Sequence, residues 1–316
     1  MLESVLIQNF KGFKNTLISP FRKVNLIIGG QNVGKTSVLE AVQICLGGFE
    51  ATAFRQNEGT DAHHFSASVM ANPDLTLYAK YSAREFVLTR RTPFDPSSVS
   101  AKSKDFYGLG AFSGPFGVSH RYSNESARQD PTPRCVAIPL FLPPQMHLVM
   151  LFGKVILTRK KRELTELLRK VEPRLISLDA IAPDGEQRVY AELEGVDQAL
   201  PLTQMGHGFS RLVYLFSEML VSDAQIALID EVENGIHYSA LPTLFQGIKT
   251  VAQERDVQSL ITTHSWDGLR AACEVFEDTP DMFQVIRLER DEDEVKAVCI
   301  DGARMLRLMA DEREVR

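Results

Sequence analysis

Apolar and polar residues are arranged along the chain with two different periods. "SVLIQNF" and "VNLII" alternate or run apolar and are rich in β-formers, which predicts strands. The second passes through a glycine-rich turn into "KTSVLEAVQICL", where the apolar spacing becomes helical. That order is strand, loop, helix. "DLTLYAKYS" and "REFVLTRR" read as two strands joined by a very short turn, so a hairpin or small antiparallel sheet follows. "RKKRELTELLRKV" is an amphipathic helix with Leu164, Leu167, Leu168 and Val171 on one face, and "GEQRVYAELEG" alternates like a strand. Beyond it the pattern predicts a helix over 208–221, the strand "QIALID", a helix over 238–254, the strand "SLITT", and two closing strands, "FQVIRLE" and "VKAVCI". Strands that alternate with helices of this length predict an α/β fold with a parallel sheet wrapped by helices.

Composition refines this picture at a few points. Residues 95–133 are rich in Ser, Gly and Pro and lack any period, which predicts a mobile insertion, a lid or a disordered loop. No repeat of 20–50 residues is found, and no apolar heptad run is long enough for a coiled coil. The expected organisation is one domain over 1–316, with a helical lobe over 134–225 and the rest of the core sheet over 226–316. No stretch approaches the ~18 apolar residues of a membrane helix, and the N-terminus lacks a basic region followed by an apolar core. A cytoplasmic protein without membrane contact is therefore expected. The formal charge of −6 argues against a chain that coats nucleic acid everywhere, and leaves a local basic groove open. Cys45, Cys135, Cys273 and Cys299 lack paired C-x-x-C spacing, so buried inert thiols are expected.

The loop Gly29, Gly30, Gln31, Asn32, Val33, Gly34, Lys35, Thr36 and Ser37 fits G-x-x-x-x-G-K-[ST]. Its glycines let backbone N–H groups curl around phosphate oxygens. Lys35 can reach the β and γ phosphates, and the Thr36 hydroxyl can ligate Mg²⁺. The helix that follows adds its positive end. A nucleoside triphosphate, ATP above all, is the expected ligand. Such a loop needs an acid at the tip of a neighbouring buried strand to hold the metal, and "IALID" delivers Asp230 there. Glu231, the next residue, would face the γ-phosphate and accept a proton from the attacking water.

The tract "DEVENGIH" resembles the strand end and following loop of the ABC-type ATPases in the RecF, SMC and OLD (overcoming lysogenization defect) proteins. Three other stretches match in that group's order. "VLIQNFKGFKN" resembles its opening strand and turn, "LTQMGHGFSRLVYLF" its signature motif, and "ITTHS" the strand that ends on its switch histidine. The resemblance implies an ABC-ATPase-like P-loop NTPase with a mixed central sheet, an antiparallel β subdomain and a helical or loop insertion. It further implies a head-to-tail homodimer, in which Gly206 and Gly208 approach the γ-phosphate held by the opposite subunit, and a His264 that senses that phosphate. Gly206 replaces the small hydroxyl residue common in the motif, so the cross-subunit contact would lean on backbone groups. Lys11 matches a basic residue near the nucleotide, and Gln145 in "FLPPQM" is a candidate for the glutamine that senses Mg²⁺ and water. Glu233 and His237 are assigned to the dimer seam. The basic run Arg159, Lys160, Lys161, Arg162 is either a phosphate-contacting patch or a solvated face.

The phosphate loop and its acids predict a Mg²⁺-dependent ATP hydrolase, and the resemblance implies work on DNA, in repair or in defence against phage or plasmid DNA. Some relatives carry a Toprim nuclease after the ATPase. Residues 265–316 are too few for one, so a separate nuclease or other effector is the expected partner. The alternatives are a nucleotide-dependent clamp with negligible turnover and a transporter ATPase subunit.

Overall fold

A computed structural model describes residues 1–47, 75–82, 84–90, 116–122, 133–292 and 294–311. The core is a six-stranded sheet formed by β3 (Val24–Gly29), β7 (Cys135–Ile138), β11 (Ile226–Ile229), β12 (Gln258–Thr262), β13 (Phe283–Asp291) and β14 (Glu294–Asp301). Its order is β14-β13-β3-β12-β11-β7. All neighbours run parallel except β14, which closes one edge antiparallel to β13. The sheet is therefore mixed. The all-parallel part is buried on both faces, so its strands read as continuous apolar runs.

Each strand divides its residues between two cores by strict alternation. Val24, Leu26 and Ile28 of β3, with Ala227 and Ile229 of β11, face a helical layer. That layer comprises α2 (Gln145–Leu157), α3 (Lys161–Arg169), α4 (His207–Val221), α5 (Leu241–Glu254), α6 (Trp266–Val275) and α7 (Gly302–Ala310). Ile27, Ile226, Leu228 and Leu260 face the other way. There they pack on α1 (Lys35–Gly47) and on the antiparallel sheet β2-β1-β4-β5-β6, with β1 Leu2–Phe10, β2 Phe13–Ile18, β4 Thr76–Tyr81, β5 Arg84–Arg90 and β6 Phe116–Tyr122. A smaller antiparallel sheet is formed by β8 (Leu175–Ile181), β9 (Arg188–Leu193) and β10 (Leu200–Pro201).

The hairpin expected from "DLTLYAKYS" and "REFVLTRR" is β4 and β5, paired from Thr76↔Thr89 to Tyr81↔Arg84. Where a helix over 238–254 is expected, a single 3₁₀ turn, Tyr238–Ala240, comes first and the α-helix starts at Leu241. Pro242 explains the boundary, because proline fits the first helical turn and not the interior. Sequence periodicity passes over α2, whose "QMHLVMLFGKVIL" is apolar on several sides, and over the four-residue β7. Within 134–225, β7 belongs to the central sheet, and α2, α3, α4 and the small sheet supply the rest. The insertion expected over 95–133 lies outside the described residues, apart from β6 and Pro133.

Candidate active site

The three parallel strands β3, β12 and β11 end side by side, and the loops leaving them carry the candidate chemistry. Ligands of open α/β sheets bind at such carboxyl ends. Here the loops enclose a cleft of about 1200 Å³. It is lined by Lys35, Thr36, Asp230, Glu231 and His264 together with the glycine-rich loop, so one site gathers acids from β11, the histidine from β12 and the loop from β3.

The loop after β3 turns on Gly29 (φ 147°) and Gly34 (φ 109°). A methyl group on Gly34 would lie 2.7 Å from the Phe13 ring, and one on Gly29 would lie 2.6 Å from the Leu288 carbonyl oxygen. Only glycine fits both the backbone angle and the space. Lys35 Nζ donates to the carbonyls of Gly29 at 3.0 Å and Gly30 at 2.9 Å, which curls its stem over the loop. Burial holds its ammonium below its ordinary pKa, against the opposing field of Glu231, Glu233 and Asp230.

Asp230 is almost fully buried. Its carboxylate accepts from Thr36 Oγ1 at 3.0 and 3.1 Å and from Thr262 Oγ1 at 2.6 Å. Burial nevertheless raises its pKa, with the two threonine hydroxyls working in the opposite direction. Thr36 and Asp230 therefore face each other with hard oxygen donors, the set Mg²⁺ takes. Among the described residues no group of three or more His, Cys, Asp or Glu side chains could hold a metal alone.

Glu231 sits at φ 41°, a left-handed conformation unusual for a residue with a side chain. Its backbone N–H donates to Thr262 Oγ1 at 2.7 Å, and Val232 N donates to the Thr262 carbonyl at 3.1 Å. Arg211 completes the anchorage. Wholly buried on α4, it donates to the carbonyls of Asp230 (2.6 Å), Glu231 (3.1 Å), Pro139 (2.9 Å) and Leu140 (2.5 Å). A planar fork of five donors is suited to tying two strand ends together. This residue and Thr262 are the site components that sequence reasoning passed over. Neither carries a distinctive local signal, since each is one of several polar residues in a largely apolar element.

His264 lines the cleft with Nδ1 3.1 Å from Glu233 Oε1 and 3.9 Å from Glu231 Oε2. Lys11, in the turn between β1 and β2, borders the cleft and pairs with the buried Glu40. Val33 is buried beneath the loop. Gln31, Asn32 and Ser37 are on the cleft wall.

Three candidates lie elsewhere. Gln145 is not brought to this cleft; at the start of α2 it lines a separate cavity of about 200 Å³ with Leu142, Leu148 and Val189. Gly206 (φ 88°) precedes α4 with open space where a side chain would go. Gly208 is pressed onto its own chain: a methyl there would lie 2.2 Å from the Gly235 carbonyl oxygen. In the basic run, Lys160, Lys161 and Arg162 pair with Glu163, Asp179 and Glu166, which makes most of it a neutralised surface. Cys45, Cys135, Cys273 and Cys299 are free thiols, and burial pushes Cys135 and Cys273 up to about 12. They are chemically quiet. Among the described residues no helix is long and apolar enough to cross a membrane.

Comparison with known proteins places this site among others. Residues 142–271 match the family model described as "AAA domain, putative AbiEii toxin, Type IV TA system", and residues 1–92 match the one described as "AAA ATPase domain". A protein of Helicobacter pylori named "ATP/GTP phosphatase" is 22% identical over 328 aligned positions, covering 87% of this chain and 88% of that protein. A shorter match, 38% over 66 residues, joins 20% of this chain to 18% of the "DNA replication and repair protein RecF" of Prosthecochloris aestuarii. Among solved structures, an SMC head bound to the C-winged helix domain of ScpA superposes with a TM-score of 0.56 at 15% identity, covering 95% of this chain and 97% of that one.

Proposed function

We propose that the chain, which matches two AAA family models and shares the fold of an SMC head, is an ABC-type AAA ATPase of the RecF/SMC group that works as a homodimer, closing head to tail on ATP and reopening on hydrolysis. One observation carries this reading. The phosphate loop, Asp230, Glu231 and His264 share a cleft, whereas the signature glycine Gly206 lies outside it and faces open space. A second copy placed head to tail is what would bring that segment to the nucleotide.

In this reading Lys35 leaves the Gly29 and Gly30 carbonyls for the β and γ phosphates, and the loop's backbone N–H groups hold the same oxygens. Thr36 and Asp230 are the residues that would hold Mg²⁺, which supplies neutralisation of phosphate charge when bound. Glu231 accepts a proton from the water that attacks the γ-phosphorus. The bond to the bridging oxygen of ADP breaks, and inorganic phosphate leaves. His264 donates a hydrogen bond to the γ-phosphate and loses it when that group departs.

The expected setting is DNA repair or defence against phage or plasmid DNA, with the ATP-driven closure gating a separate nuclease or other effector. A RecF relative and a family description that names a toxin–antitoxin system support that setting. Glu231→Gln tests the core of the reading. It should bind ATP, release phosphate at least about 100-fold more slowly than the native chain, and double in mass by light scattering when ATP is added. A variant that stays monomeric with ATP refutes the sandwich. Wild-type turnover at background level would instead favour a clamp that binds without hydrolysing.

A further inference from the structure

We infer that Glu233 is the positioning residue for His264, an assignment that rests on the functional reading of this cleft and adds a third carboxylate to it. Oε1 of Glu233 accepts a hydrogen bond from the His264 backbone N–H at 2.9 Å and lies 3.1 Å from ring Nδ1 of the same residue, within ion-pair distance. Glu231 stands farther from that nitrogen, at 3.9 Å. The side chain of Glu233 is only 10% exposed, and its Oε2 is buried with no hydrogen-bond partner. A buried carboxylate with one oxygen unpartnered is costly, so its place needs a reason beyond burial.

The geometry supplies one. A backbone amide is a donor in every protonation state, so Oε1 must act as an acceptor. The ring nitrogen 3.1 Å away therefore meets it as a donor, and with Nε2 protonated as well the ring can donate to a phosphate oxygen in the cleft. Glu233 thus sets the ring's orientation and keeps Nδ1 protonated, as carboxylates do for other functional histidines.

The loop bearing Glu233 is itself fastened. Asn234 N donates to the Glu231 carbonyl at 3.0 Å, Ile236 N to the Glu233 carbonyl at 2.9 Å, and Asn234 Nδ2 to the Leu140 carbonyl at 3.0 Å. Gly235 (φ 72°) lays its carbonyl against Gly208 at the start of α4. His264 is consequently tied through the three loop residues Glu233 to Gly235 to the signature helix of its own subunit.

The experiment uses the full chain and Trp266, the only tryptophan in the sequence, which lines the cleft two residues past His264. Glu233→Ala should lower kcat about 10- to 100-fold, while KM and the ATP affinity read from Trp266 fluorescence change less than about threefold. Glu233→Gln, whose amide oxygen can face the same two donors, should restore kcat to within about fivefold of native. In a His264→Ala background Glu233→Ala should cost nothing further. Imidazole ¹⁵N NMR should show Nδ1 protonated in the native chain and the loss of that preference in Glu233→Ala. Equal cost of Glu233→Ala in both backgrounds, or an unchanged imidazole spectrum, overturns the assignment. If His264→Ala itself turns over at the native rate, the role of His264 in hydrolysis fails, and the NMR arm still judges whether Glu233 holds the ring.

Discussion

Asp230 shows how a single side chain can be kept at a cost to the fold. Its carboxyl titrates above the usual range because burial disfavours the charge. Below the ordinary value of 3.8 it is protonated in both folded and unfolded chains, and no stability is lost. As pH rises through the window that starts there, the unfolded chain ionises first and the folded one binds the extra proton, so stability falls until the folded group has also ionised. Asp230→Asn should therefore raise the thermal midpoint of the nucleotide-free chain at pH 7, with the gain shrinking toward pH 4. The same substitution should remove the Mg²⁺ dependence of ATP binding. A midpoint that does not move with pH would show that the two threonine hydroxyls already offset burial in full. Glu231, in its left-handed conformation beside this acid, is a second local cost, on the order of 1–3 kcal/mol.

At the scale of elements, α4 is more than a packed helix. Arg211 joins it to the ends of β7 and β11 through four carbonyls, and Gly208 lets its first turn rest on the loop after Glu231. Lysine at 211 keeps the charge but has neither the planar fork nor enough donors for all four carbonyls. Arg211→Lys should destabilise by about 2–4 kcal/mol, since each buried acceptor left unmade costs about 1–3 kcal/mol. Urea denaturation would measure the change. Gly208→Ala must push the turn off Gly235, because the added carbon would lie 2.2 Å from a carbonyl oxygen. That variant should lose kcat as well as stability. A variant that loses stability alone would uncouple the helix from the catalytic loop.

For the whole molecule, the central sheet separates two cores, and the cleft opens at its carboxyl edge. Nucleotide bound there should stabilise the folded chain by mass action, by about 2.7 kcal/mol at a ligand concentration of 100 Kd. Lys35→Ala should abolish most of the ATP-dependent shift in thermal midpoint while leaving the midpoint without ATP near native or above it, since Lys35 is a partly desolvated charge. An unaltered ATP shift in that variant would place the nucleotide elsewhere.

The phosphate loop, the Asp230–Glu231 pair and His264 were legible in the chain because each depends on a short local pattern: a glycine turn before a helix, or a polar residue at the end of an apolar strand. The alternation of strands and helices was readable for the same reason, since burial on one or two faces imposes its own period. Gln145 was misplaced because nothing local says which loop faces the cleft, and α2 was missed because a helix buried on several sides shows little amphipathic contrast. Arg211, Thr262 and Glu233 acquire their roles only through partners far along the chain. Arg211 reaches back to Leu140, and Glu233 forward to His264. Their hydrogen bonds exist because a parallel sheet sets strand ends side by side that are separated by whole helices in sequence. The chain alone carries the phosphate-loop pattern that points to a nucleotide; only the tertiary structure decided which carboxylate stands beside the histidine, because that choice is a matter of distances across the sheet.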